Sequence, residues 1–266
     1  MSANIGNIGN ITGREAFIGN ISSRLGRKAP AAAAPEHPFR GAPDFYKEIE
    51  RTTDEKIQLF TDNWTALTGK VLVVDEAEAN EKIGAWLQEV AAELKVTQVS
   101  RWENEGLIGL GLDEALSAAG IAVVPWKQAA AAAETALPLD EVDDAESSSN
   151  WSKRSELLQR TERCQMGIIW PDYAVANTST LVLQCSPEHG RSVSLLTDIL
   201  FAVFRADQLV TRMGEAFGHV TKGKSDARQY PSSLNLITGP SRSADIENDL
   251  TIGIHGPGKV YAVIIK

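Results

Sequence analysis

Short β-branched runs alternate with apolar residues at helical spacing along most of this chain, and that alternation restricts its fold more than any other feature. Lys70–Val74 is one such run, and Ile83, Trp86, Leu87, Val90 and Leu94 follow it as an amphipathic stripe. Val96–Val99 reads as a second strand, a helix around Leu112–Ala119 ends at Gly120, and Ile121–Val124 reads as a third strand stopped by Pro125. The pattern resumes with a helix near Ser152–Arg163 and strands at Met166–Ile169, Thr180–Cys185 and Ile199–Phe204. Leu209, Val210, Met213 and Phe217 read as one helix face, and Ser233–Thr238 and Val260–Ile265 as the last strands. Strands separated by helices pair in parallel, because a parallel pair needs a long crossover. Such a sheet is buried on both faces. The expected fold is therefore α/β, a three-layer sandwich with a mostly parallel sheet.

The flanks differ. Thr12 is placed to cap a helix carrying Phe17, Ile18, Ile21 and Leu25, with Gly26 to stop it. Ala29–Pro38, rich in Ala and Pro, reads as a linker. Residues 1–40 thus form a helical arm and linker ahead of one domain over 41–266. Ile49, Ile57, Phe60, Trp64 and Leu67 suggest one long helix or two at the start of the domain, closed by Gly69. Residues 128–150, Ala-rich and then acidic and Ser-rich, read as a hinge or flexible loop within it.

Charge and cysteine usage narrow the function. A net charge of −9 argues against broad nucleic-acid binding, which needs a basic face. The N-terminus lacks a signal-peptide pattern and no apolar run approaches a membrane span, so a cytoplasmic protein is expected. Cys164 and Cys185 cannot supply the four thiolates of an ordinary iron–sulfur cluster. His37, His189, His219 and His255 show no metal-ligand spacing, so no metal site is assigned. Glycine-rich nucleotide loops and the Gly-x-Ser-x-Gly elbow are missing from the sequence as well.

Four segments are unlike ordinary core. In Pro171–Leu183, Asn177, Thr178, Ser179 and Thr180 form a hydroxyl-rich turn that suits either a small polar ligand or a plain strand start. Gly190–Leu196 offers Arg191 and Ser194 as anion contacts. In Gly239–Glu247 the chain turns at Gly239, and Ser241 or Ser243 is placed to cap a short helix. A capped helix after a strand is an anion site, which Arg242 would reinforce; Asp245 and Glu247 suit a purely structural cap instead. In Gly253–Gly258, His255 sits among small residues as a general base, a ligand contact or a structural histidine. Ligands of open α/β sheets gather beyond the carboxyl ends of strands, so the Asn177–Thr180 turn, Ser241, Arg242, Asp245 and His255 are expected to meet there in one cleft.

Together the four segments resemble the LUD domain of the LutC/YkgG family, the most specific match being Gly-Pro-Ser-Arg-Ser-Ala-Asp-Ile-Glu followed by His-Gly-Pro. The resemblance implies a NagB/RpiA/CoA-transferase-like sandwich. It also implies a role in L-lactate oxidation to pyruvate beside iron–sulfur partner proteins, which would carry the clusters, with no cofactor in this chain. Ligand-binding candidates are Asn177, Thr178, Thr180, Arg191, Ser194, Ser241, Arg242, Asp245 and His255, facing a small carboxylate. The family usually has an acidic residue at Asn177, Gly at Ser179, Pro at Thr197 and Thr at Ser243. Loss of a carboxylate at 177 removes a CoA-transferase-like nucleophile and favours binding or assembly over catalysis. The alternatives are an enzyme acting on a small carboxylate or a CoA- or sugar-phosphate-like ligand, and a regulatory sensor of small acids.

Overall fold

The computed structural model describes residues 13–29, 50–127, 156–244 and 250–266. The chain divides into a short unit, Met1–Glu50, and a body, Arg51–Lys266. The first unit holds helix α1 (Arg14–Arg24), which starts after Gly13 and exposes Phe17, Ile21 and Leu25. Thr12, most of the Ala/Pro linker and the 128–150 segment lie outside the described residues.

Helix α2 (Thr53–Ala66) opens the body through a reciprocal cap: Glu55 N–H donates to Thr52 Oγ1 and Thr52 N–H donates to the Glu55 carboxylate. Its buried face is Ile57, Phe60 and Trp64, with Phe60 stacked on Trp64 at 5.4 Å. The left-handed residue that ends the helix is Thr68 (φ 71°) rather than Gly69. Gly69 answers a different need, because a Cβ there would lie 2.3 Å from Trp64 Nε1.

Six strands form the central sheet: β1 (Lys70–Val74), β2 (Gln98–Trp102), β3 (Ala122–Trp126), β4 (Met166–Ile169), β7 (Ile199–Arg205) and β12 (Lys259–Ile265). Their order is β1-β12-β7-β4-β2-β3 and every pairing is parallel. The central β7 and β12 are apolar and buried almost throughout, as a sheet covered on both faces requires. Helices α3 (Ala79–Glu93), α4 (Glu105–Gly109) and α5 (Leu112–Ala118) connect β1 to β2 and β2 to β3. Helix α6 (Glu156–Glu162) precedes β4, and α7 (Ser192–Leu195) precedes β7. Travel across the sheet reverses after β3, so right-handed crossovers put α3–α5 on one face and α6–α7 on the other. The packing agrees: α3 lies on α5, and α6 on α7. The body is an α/β sandwich with the sheet between two helical layers.

A second sheet, in order β8-β5-β6-β9, comprises β5 (Tyr173–Val175), β6 (Thr180–Gln184), β8 (Leu209–Val210) and β9 (Leu234–Thr238). With helix α8 (Met213–Thr221) it closes a small core of Val175, Val182, Val210, Ala216 and Val220. Strands β10 (Arg242–Ala244) and β11 (Leu250–Ile252) form an antiparallel pair.

Four local expectations are corrected. Val96 is not strand: its N–H donates to Ala91 O beside left-handed Lys95 (φ 56°), which is the close of α3, and β2 starts at Gln98. β3 runs through Pro125 to Trp126, tolerated because β3 is an edge strand. Leu209–Val210 pairs with β5 as a strand, and the helix starts only at Met213. Among the described residues no helix follows Gly239: Arg242–Ala244 pairs with Leu250–Ile252 as a strand, so neither Ser241 nor Ser243 caps a helix there, in contrast to the expected helix-dipole anion site.

Candidate functional site

Three of the four singled-out segments are tied together by their own hydrogen bonds. The 177–180 turn is held by α2: Asn63 Nδ2 donates to the carbonyls of Ala176 and Asn177, each at 3.0 Å. Asn177 N–H donates to Thr211 O at 3.1 Å, while its side chain is exposed. Ser179 takes a left-handed conformation (φ 44°, ψ 49°) and buries its hydroxyl with no partner among the described residues. Thr178 Oγ1 lies 2.8 Å from Thr180 Oγ1, and Thr180 Oγ1 lies 2.6 Å from Thr238 Oγ1. This row of three hydroxyls follows from register, because Thr180 and Thr238 face each other across β6 and β9.

The chain leaves Thr238 through Gly239 (φ 72°), where a Cβ would lie 2.9 Å from Leu67 Cβ. Ser241 then joins the third segment to the fourth. Its N–H donates to Pro257 O at 2.8 Å, its carbonyl accepts from Gly253 N–H at 3.0 Å, and its hydroxyl accepts from His255 N–H at 3.3 Å. Arg242 Nη2 donates to Leu67 O at 2.8 Å. Leu67 is the C-cap residue of α2, so the guanidinium sits at the negative end of that helix and spends one N–H there.

Thr238, Ser241, Arg242 and His255 line one cleft of about 270 Å³, with Leu195 and Leu236 as its apolar wall. Arg242 and His255 are both exposed at its mouth. The arrangement presents a cation, an imidazole and hydroxyls to a small anion, with a greasy side for a short carbon chain. Thr178 and Thr180 reach it only through Thr238. Arg191 and Ser194 do not join it: Ser194 Oγ is buried and donates to Arg191 O, and Arg191 opens onto another cleft with Trp126. Asp245 lies outside the described residues.

The cleft sits at the opposite sheet edge from the one expected. Leu67, Leu195 and Pro257 immediately precede β1, β7 and β12, so the cleft lies against the amino edge of the central sheet. The expectation placed Ser233–Thr238 in that sheet, whereas β9 belongs to the four-stranded one. Asn63, Leu67 and Thr238 were not among the expected site residues. Thr238 alone carried a signal, a polar residue ending an apolar strand; a backbone carbonyl such as that of Leu67 has none.

Among the described residues no three of His, Cys, Asp and Glu gather as metal ligands, and no helix is long and apolar enough to cross a membrane. Burial pushes the Cys164 thiol up to about 12.

Comparison with known proteins is consistent over nearly the whole length. The LUD domain family model matches residues 57–265. A protein of Bacillus velezensis named Lactate utilization protein C is 26% identical over 97% of this chain and 98% of its own. The proteins of the same name from Macrococcus caseolyticus and Bacillus subtilis are 28% and 26% identical, each over 97% of this chain and 97% and 98% of their own. Among solved structures, a DUF162 family protein of Deinococcus radiodurans superposes with a TM-score of 0.51 over 82% of this chain and 100% of its own, at 16% identity. At that identity the likeness is one of fold.

Proposed function

The chain belongs to the LUD domain family, and from that premise we propose that it serves lactate utilisation as a subunit without iron–sulfur clusters, supporting oxidation of L-lactate to pyruvate beside iron–sulfur partners. The relatives aligned over both full lengths carry the name Lactate utilization protein C, which supports the lactate role. The observation that carries the molecular part is the cleft shared by Ser241, Arg242 and His255.

Its size suits a three-carbon acid. Small-molecule sites commonly run from about 300 Å³ upward, and this one holds about 270 Å³. The Arg242 guanidinium keeps N–H groups beyond the one given to Leu67 O, enough to meet a carboxylate. The His255 imidazole stands at the mouth to accept from a 2-hydroxyl group, and Leu195 and Leu236 face a methyl group. Oxidation of lactate releases two electrons and two protons. With two cysteines, one of them buried, this chain cannot hold a four-thiolate cluster to take the electrons. Electron transfer therefore falls to the partners, and binding or assembly to this chain.

Affinity purification of the tagged chain from lactate-grown cells, with iron and acid-labile sulfide measured on the eluate, tests this. Recovery of iron–sulfur proteins in fixed ratio, and loss of growth on lactate when the chain is deleted, are expected. Purification alone, with lactate-dependent dye reduction by the isolated chain, would overturn it.

A further inference from the structure

The carboxyl edge of the central sheet holds a second cleft, larger than the first. Its volume is about 490 Å³, inside the range of roughly 300–1,000 Å³ common to small-molecule and cofactor sites. Two tryptophans fix its wall, and Trp126 lines it. They end β2 and β3, and their indole N–H groups hold the loop that follows β6: Trp102 donates to Gly190 O at 2.8 Å, and Trp126 to Pro187 O at 3.1 Å. Gly190 lies so close under Trp126 that a Cβ would come within 2.0 Å of the ring. This fixes the backbone that delivers Arg191 and Ser192 to the cleft, which Trp126 and Ser232 also line.

The partners of these groups are what distinguish the cleft. Arg101, Arg205, Arg228 and Arg242 each donate a side-chain hydrogen bond. Arg191 makes no side-chain hydrogen bond or ion pair among the described residues, and neither do the hydroxyls of Ser192 and Ser232. A lone arginine is ordinarily a solvated surface group. Here an unpaired cation, two unpaired hydroxyls and a half-buried indole open onto one cavity. The place is also the expected one for a parallel sheet. Trp126 ends β3, so the cleft opens beyond the carboxyl end of a parallel strand, where ligands of such sheets settle.

We propose that this cleft binds an anion carrying a flat ring, of the mononucleotide class, with Arg191 and Ser192 on the phosphate and Trp126 against the ring. A guanidinium matches two phosphate oxygens at once, and an indole offers a broad apolar surface to a base. The site is separate from the Ser241–His255 cleft and stands whether or not that cleft takes lactate.

Calorimetry on the full chain tests it with adenosine monophosphate as probe, beside inorganic phosphate and adenosine. The nucleotide should bind at least tenfold more tightly than either fragment. Arg191→Ala should weaken it tenfold or more and Arg191→Lys less, while Arg228→Ala, which does not line the cleft and is already paired with Asp226, should leave it unchanged. Saturating lactate should not displace it. Absence of nucleotide binding at millimolar concentration, equal binding of phosphate alone, insensitivity to Arg191→Ala in a variant with native circular dichroism, or displacement by lactate would each overturn the proposal.

Discussion

Replacing Ser179 with glycine is expected to make this protein more stable. Ser179 is a buried non-glycine residue at φ 44°, a conformation that costs an L-residue roughly 1–2 kcal/mol. Its hydroxyl is buried with no partner among the described residues, which adds about 1–3 kcal/mol of unreturned desolvation. Glycine removes both penalties. Against this stand glycine's larger loss of backbone freedom, roughly 0.5–1 kcal/mol, and the lost contacts of one buried carbon, about 0.8 kcal/mol. The net gain is on the order of 1–2 kcal/mol, or about 2–8 °C in Tm for a body of this size. Urea unfolding should show a higher midpoint with an unchanged slope. Ser179→Ala separates the two contributions: it removes the hydroxyl, keeps the strained backbone and incurs neither glycine cost, so it should gain about 1–3 kcal/mol, as much as glycine does. A glycine variant that melts at or below the parent temperature would refute the account, and would mean that the hydroxyl is bonded in solution.

Three further outcomes are expected. Gly167→Ala should lower stability by about 2–3 kcal/mol in urea, because its Cβ would lie 1.9 Å from Val193 O where α7 crosses β4. Arg242→Ala should weaken lactate or pyruvate binding by about 1.5–3 kcal/mol in calorimetry, the range for a charge-assisted hydrogen bond. The Cys164 thiol, at about 12 when folded against 9.0 as its ordinary value, keeps its proton in the native state longer than in the unfolded chain. Its contribution is therefore fully present below pH 9.0 and is lost as pH rises from there towards 12. A Cys164→Ala variant should lose less stability over that alkaline range, and Cys185 should be the thiol that reacts with a disulfide reagent at pH 8.

The sequence pattern is most informative where burial is uniform. Met166–Ile169, buried at every residue, is a strand with the expected limits, because fully buried parallel strands read as unbroken apolar runs. It misleads where an apolar residue serves another purpose. Val96 packs back against the helix it ends, and Leu209–Val210 belongs to a second sheet whose partners lie far away in sequence. The candidate residues around Ser241 were legible by type but not by geometry. Gly-Pro-Ser-Arg suits a helix cap and a strand turn equally well, and the choice was settled by pairing with Leu250–Ile252, which no local pattern announces. Membership of β9 in the four-stranded sheet was equally invisible, and it decided which edge of the molecule the cleft occupies.

The threonine row has a property that none of its members has alone. A hydroxyl has one proton to give and can accept two. Thr180 stands between Thr178 and Thr238 and has a third, longer option in Thr178 O at 3.4 Å. If Thr238 gives its proton to Thr180, it turns only lone pairs towards the cleft and welcomes a donor. If Thr180 gives its proton to Thr238, the Thr238 proton is free to point into the cleft and welcomes an acceptor. The choice costs no movement of any heavy atom. A partner that meets the exposed Thr178 hydroxyl on the surface thereby biases, through Thr180, the hydrogen-bonding sense of the Thr238 hydroxyl at the cleft.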